Sequence, residues 1–186
     1  ECHNFIANDI IVHNSFSLGV MIEEFAKLSP ELKRRISVIV IDMVGIFWTL
    51  KVPSRGNEKE LLEWGLTPES TPVKILVPKG KMDFYKEKQI PVDDALTLRC
   101  GELDVTEWMA LFRYTWHDAE AILLGRVIEQ LKEQLGMRFG IEEIIHSIDQ
   151  DEESDKLIKQ ALKNRMEMAQ GWGLLEKEGT KMKDIA

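Results

Sequence analysis

The chain has 186 residues, of which 44% are hydrophobic and 30% charged, and a formal net charge of −8. That length and apolar content suit one globular domain with a real core. The acidic balance argues against a uniformly basic nucleic-acid-binding surface but leaves room for a local basic groove. Two cysteines, Cys2 and Cys100, are too few for a disulfide scaffold and point to a reducing cytosol, hence a cytoplasmic protein. No apolar run approaches the ~18 residues of a membrane span. The N-terminus has no basic n-region of a signal peptide, and there is no initiator Met, which fits a piece cut from a longer precursor.

In chain order, residues 5–12, "FIANDIIV", are apolar and β-branched around Asn8-Asp9 and predict two short strands joined by a turn. Over residues 17–28, Leu18, Met21, Ile22, Phe25 and Leu28 recur near helical spacing and predict a helix, with Pro30 just past its end. Residues 36–42, "ISVIVID", are a continuous apolar run closed by an acid, the pattern of a buried strand in a parallel sheet. Gly45 supplies the turn that follows. "NEKELLEWG" at 57–65 predicts a short helix with Asn57 as N-cap and Gly65 past its end. "VKILV" at 73–77 predicts a second strand, and strand, helix, strand in this order suggests an α/β unit.

From residue 104 the character changes. Asp104 with Glu107 resembles a capping box and predicts a helix to about residue 115. A second helix is expected over 118–135, with Ile122, Leu123, Val127, Ile128, Leu131 and Leu135 on its buried face. "GIEEIIHSI" and "SDKLIKQALKNRMEMAQGW" predict two more. Residues 101–186 therefore read as a helical subdomain inserted after the second strand, behind an α/β segment at 15–100. With two clear strands the sheet is incomplete, and its other strands are expected outside this chain.

The chemistry-bearing stretch is His13-Asn14-Ser15. An Asn side-chain amide can attack its own backbone carbonyl carbon, closing a succinimide and breaking the peptide bond to the next residue. A preceding imidazole can polarise that carbonyl or donate a proton. A hydroxyl directly after the Asn can serve as an acyl acceptor. The longer stretch "CHNFIANDIIVHNS" resembles the C-terminal end of inteins, the protein-splicing elements, from His3 through Asn14, with Ser15 as the first residue of the downstream extein. The resemblance implies that His13 assists Asn cyclisation, that Asn14 cyclises, and that Ser15 receives the upstream extein. It also implies that His3, which opens "HNF", assists transesterification and cyclisation. Phe5, Ile6, Ile10, Ile11 and Val12 read as fold residues. The initiating nucleophile and the Thr-x-x-His motif of an intein belong to a part missing from this chain, so the fragment is not expected to splice alone. Cys2 lies within the C-terminal motif region and is read as inert.

Ser15 then begins a host protein at the first turn of a helix. A P-loop ends Gly-Lys-Ser/Thr and runs into a helix, its hydroxyl on Mg²⁺. An upstream extein ending in "GK" would restore that motif with Ser15 as the Mg²⁺ ligand. "SFSLGVMIEEF", "VIVIDMVGIFW", "LLEWGL", "VKILVP" and "LKNRMEMAQGWGL" resemble archaeal HerA-like ATPases, relatives of the FtsK-type DNA translocases. The resemblance implies a partial RecA-like P-loop ATPase core of α/β class, ATP and Mg²⁺ as cofactors of the spliced host, DNA as partner, and a homo-oligomeric ring, often a hexamer.

Asp42, at a predicted strand end, reads equally as an acid near the nucleotide or Mg²⁺ and as a strand-end cap. Ile46 follows Gly45 where well-known members of the family carry an acid, so the match is imperfect there. The strand ending in Asp42 follows the helix too soon, and lacks the following Glu, to be a Walker B strand. Five tryptophans (Trp48, Trp64, Trp108, Trp116 and Trp172) could stack bases but read mostly as core or interface residues. His117 and His146 lack partners at metal-ligand spacing. "DQDEESD" at 149–155 reads as a solvated loop leading into a helix. Arg99, Arg113, Arg126 and Arg165 are open candidates for phosphate or inter-subunit contacts. The rival reading is a non-enzymatic α/β interaction module with a chance His-Asn-Ser.

Overall fold

The computed structural model describes residues 4–7 and 10–181, with side chains from Ser15 onward. The chain mixes many helices with a few short strands and is broadly α/β. It divides into two compact units. One runs to Ile75 and takes in Ile90–Val92; the other comprises Leu76–Gln89 and the chain from Asp93.

The first unit opens with an antiparallel hairpin. Strands β1 (Asn4–Ala7) and β2 (Ile10–His13) pair with Asn4 opposite His13 and Ala7 opposite Ile10, so the two expected strands form; the turn residues Asn8 and Asp9 lie outside the described residues. Helix α1 (Asn14–Ala26) follows β2 without a connecting residue and starts three residues earlier than the apolar spacing predicts. Its apolar positions began that pattern at Leu18, and the first turn of a helix needs none. Helix α2 (Pro30–Lys33) is capped by Ser29, whose Oγ accepts from Leu32 N–H, and Pro30 fills the first position, where no N–H is required. Helix α3 (Glu58–Glu63) has Asn57 as N-cap residue and Gly65 beyond its end at φ +69°, as expected. The Asn57 side chain makes no cap bond, because its Oδ1 accepts from Ser54 Oγ at 2.6 Å.

The clearest departure is at 36–42. "ISVIVID" is neither helix nor strand, and Ile39 and Ile41 are exposed. A strand exists only against a neighbour, and no described residue pairs with this run. Ile22 is the one buried hydrophobic side chain among the described residues of this unit.

The second unit holds the core. Strand β3 (Leu76–Pro78) runs parallel to β4 (Asp94–Leu96), with helix α4 (Met82–Glu87) between them in sequence, a short βαβ crossover. The predicted strand at 73–77 is thus confined to its end, shifted to 76–78 by the register with β4. Strands β5 (Leu98–Arg99) and β6 (Leu175–Glu176) form a second parallel pair. Neither β4, β5 nor β6 was expected, since two or three residues leave no periodicity to read.

Helix α5 (Val105–Phe112) carries the expected capping box: Glu107 N–H donates to Asp104 Oδ1 and Asp104 N–H to Glu107 Oε2, both at 2.8 Å. It stops at 112 rather than 115 because Arg113 turns left-handed, at φ +57°. Helix α6 (Ala119–Leu135) buries Ala121, Leu123, Leu124, Val127, Ile128 and Leu131. Ile122, about 200° around the helix from Leu124, is exposed, and so is Leu135 in the last turn. Helices α7 (Ile141–Gln150) and α8 (Lys156–Gln170) pack against it through Ile144, Ile148, Leu162 and Met166, all fully buried. Each such side chain contributes roughly 1.5–3 kcal/mol, and Trp108 and Phe139 complete the cluster. Two close backbone approaches fix glycines. A Cβ on Gly80 would lie 2.7 Å from Gly173 Cα, and one on Gly101 would lie 2.4 Å from Met137 O.

Candidate functional site

The junction residues fall at a strand-to-helix boundary. His13 is the last residue of β2 and Asn14 the first of α1. Their backbone placement is therefore extended on one side of the peptide bond and helical on the other. Ser15 is exposed in the first turn of α1. Backbone N–H groups in a first helical turn have no partner four residues back and concentrate partial positive charge. A hydroxyl placed there is reachable by an acyl group, and the same turn suits an anion. His3 lies outside the described residues, so the pairing of Asn4 with His13 is the nearest described relationship at that end of the hairpin.

Asp42 is placed by its own bonds. Its Oδ1 accepts from Gly45 N–H at 2.7 Å and its Oδ2 from Phe47 N–H at 2.8 Å. The carboxylate thus organises the loop before a 3₁₀ turn at Phe47–Lys51. Of the two readings of this acid, the capping one has partners in the structure. Ser15 is exposed, whereas both carboxylate oxygens of Asp42 are engaged by backbone N–H groups.

The acidic stretch at 149–155 joins α7 to α8. Arg126 pairs with Asp151 and Glu153 and donates to Ser154 Oγ, while Lys163 pairs with Asp149 at 2.8 Å. Arg126 is therefore a clamp on this loop rather than an open contact, a role its sequence neighbourhood did not reveal. Arg99 pairs with Glu102 and Glu178. Arg165 lies close enough to Tyr114 to lower its pKa, though the Tyr114 hydroxyl is still held above its ordinary value, first by burial and then by the Glu120 charge. Arg113 serves as the left-handed C-cap of α5. Two of the tryptophans, Trp64 and Trp116, are exposed; Trp108 is fully buried and Trp172 packs against the core.

His146 lies on a groove of about 370 Å³ between α6 and α7, with Gln130, Gln134 and Glu142 also on its walls. No side-chain hydrogen bond joins His146 or His117 to another described residue, and no group of three or more His, Cys, Asp or Glu side chains among the described residues could hold a metal. No helix among the described residues is long and apolar enough to cross a membrane. No family model, curated protein or solved structure matches this chain.

Proposed function

We propose that this chain spans a protein-splicing junction, with the end of an intein at residues 1–14 and an ATPase extein from Ser15 onward. The observation that carries the reading is that β2 runs straight into α1, whose first two residues are Asn14 and Ser15. In this reading His13 polarises the Asn14 carbonyl or protonates its leaving group, and the Asn14 amide closes on that carbonyl. The peptide nitrogen of Ser15 leaves with a proton, and His3 assists. The Ser15 hydroxyl has by then taken the upstream segment as an ester, which shifts to the freed amine to restore an amide. Asn14 cyclisation in this reading requires the intein body that residues 1–14 do not include, so the chain alone stays intact. Incubating the purified chain and weighing it tests this: cleavage between Asn14 and Ser15 without the missing intein part contradicts the reading.

The host is proposed to be a HerA-like, RecA-type P-loop ATPase that moves on DNA as a homo-oligomeric ring, a hexamer, in the cytoplasm. After ligation Ser15 would hold Mg²⁺ beneath a glycine-lysine loop contributed by the upstream segment; the ion would neutralise phosphate charge there. Support comes from the exposed Ser15 in the first turn of α1 and the sequence resemblance over most of residues 15–186. The isolated chain, lacking the loop, should bind ATP poorly. Tight ATP binding to residues 1–186, measured by calorimetry, contradicts the placement of that loop.

A further inference from the structure

Helix α4 and its flanks sort their side chains by charge. Residues 79–89 carry four lysines against two acids, a net of +2, in a chain whose total is −8. At about 100° per residue, Lys81, Phe84 and Lys88 fall within about 60° of one another on one face. Lys81 and Lys88 flank the helix with right-handed helical backbone, so the stripe continues past both ends. Asp83 and Lys86 lie on the other side, 3.8 Å apart as an ion pair. Glu87 borders the stripe beyond Phe84, and Lys79 is engaged by Glu176 at 3.0 Å. Lys81 and Lys88 are exposed, and among the described residues neither ammonium has an ion-pair or hydrogen-bond partner. Phe84 is 52% exposed. Tyr85 meets it at an interplanar angle of 86°, with ring centroids 5.5 Å apart, so at least one face of the Phe84 ring stays open.

We infer that Lys81, Phe84 and Lys88 form a surface for single-stranded nucleic acid, with a base stacked on the Phe84 ring and the two ammoniums on the phosphates either side of it. This rests on the nucleic-acid partner proposed for the host and gives that partner a surface; it needs neither splicing nor ATP. The whole stripe lies in the second unit. Lys81 and Lys88 stand about 10 Å apart along the helix axis, and their flexible stems add reach on both sides of the ring. Every base has a π face to offer an aromatic ring, whatever the sequence. In a duplex those faces are covered by neighbouring pairs, so an open ring selects the single strand. A lipid surface is the poorer match. An interfacial helix buries a wide apolar face, whereas the exposed apolar part here is one ring with half-buried Tyr85 beside it. An acidic peptide would satisfy the ammoniums and leave the ring unused. The overall charge of −8 does not forbid the contact. Charges beyond a Debye length, about 10 Å at 0.1 M salt, are largely screened, so the local excess of lysine governs.

Fluorescence anisotropy of a labelled oligothymidylate, titrated with this chain over a range of salt concentrations, tests the inference. Binding should have a Kd on the order of 10⁻⁴ M at low salt and a log–log salt slope of about −1.4, the value for two phosphates on a single strand. Phe84→Ala should weaken it by roughly 5- to 100-fold. Phe84→Leu, which keeps an apolar side chain against Tyr85, should weaken it too, and Phe84→Trp should restore it. Lys81→Gln with Lys88→Gln should flatten the salt slope, and Glu87→Gln should tighten binding. A duplex of equal length held as tightly as the single strand overturns the inference, and so does a Kd that the Phe84 and lysine variants leave unchanged. Anionic phospholipid vesicles bound by the chain and released by Phe84→Ala, with the oligothymidylate unbound, overturn it in favour of a lipid surface. The same titration on the complete gene product separates the two readings. Nucleic acid bound there but not by this stripe leaves the host's DNA partner standing on another surface, whereas none bound there removes that partner as well.

Discussion

Asp42 and Phe47 are joined by a hydrogen bond from the Phe47 backbone N–H to Asp42 Oδ2 at 2.8 Å, and the other carboxylate oxygen takes Gly45 N–H at 2.7 Å. One side chain therefore fixes the five residues of loop that follow it. The geometry makes Asp42 a loop organiser, which decides how its substitution should behave.

Asp42→Ala removes both acceptors. Each such bond is worth about 0.5–1.5 kcal/mol, so exchange of the Gly45 and Phe47 amides should quicken by ~10-fold in this chain. Asp42→Asn keeps one acceptor oxygen and should lose protection at one of the two amides. Amide exchange resolved at these positions checks both; equal loss in the two variants counts against the assignment.

The Gly80 and Gly173 backbones leave no room for a side chain. A Cβ on Gly173 would approach Gly80 Cα within 2.3 Å, and Gly173 also sits at φ +64°. Gly80→Ala and Gly173→Ala should each destabilise the second unit by more than ~2 kcal/mol. Gly136→Ala, at the same φ of +64° but with nothing within 4 Å, carries the backbone strain without the clash and should cost about 1–3 kcal/mol. Denaturant melts followed by tryptophan fluorescence separate the steric cost from the conformational one.

Glu143 gives the second unit a predictable acid sensitivity. The Lys177 ammonium beside it, then the Gly140 N–H, holds its carboxyl below the ordinary 4.5. A depressed carboxylate stabilises the fold above its unfolded pKa and loses that contribution as pH falls through the folded value. Glu143→Gln should therefore be less stable than the parent at pH 7, by ~1 kcal/mol or less because the pair is partly exposed. The difference should vanish below the usual carboxylate range. Thermal melts from pH 7 down to 3 read the convergence.

Cys100 is fully buried, and burial pushes its thiol up to about 12. In a Cys2→Ser background, Cys100 should not react with a thiol reagent at pH 8 until the second unit is unfolded. Prompt labelling of the native protein would show that the core around Cys100 opens.

The helical half was the legible part of the sequence. The period of Leu123, Val127, Ile128 and Leu131 and the Asp104–Glu107 box are local signals that local physics honours. The error at Ile122 came from taking the wrong edge of a correct helix. The strands were legible as composition and illegible as pairing. "ISVIVID" has every property of a buried strand except a neighbour within the described residues, and β4 to β6 are defined only by partners distant in sequence. At the candidate site, the placement of Asn14 and Ser15 was readable, because a strand-like run met a helical one there. The partners of Asp42 were not, since backbone N–H groups carry no residue identity. The clamp of Arg126 on Asp151 spans two helices and could be found only in the fold.

The central claim concerns the bond between Asn14 and Ser15. It is tested most directly by intact mass analysis of the complete gene product beside its Asn14→Ala variant. The account predicts that the parent releases a segment ending in a C-terminal succinimide or its hydrolysed Asn14, with Ser15 joined to upstream residues, and that the variant shows neither the succinimide nor release at residue 14. A parent that keeps residues 14 and 15 linked, with the mass of the unprocessed polypeptide, contradicts it.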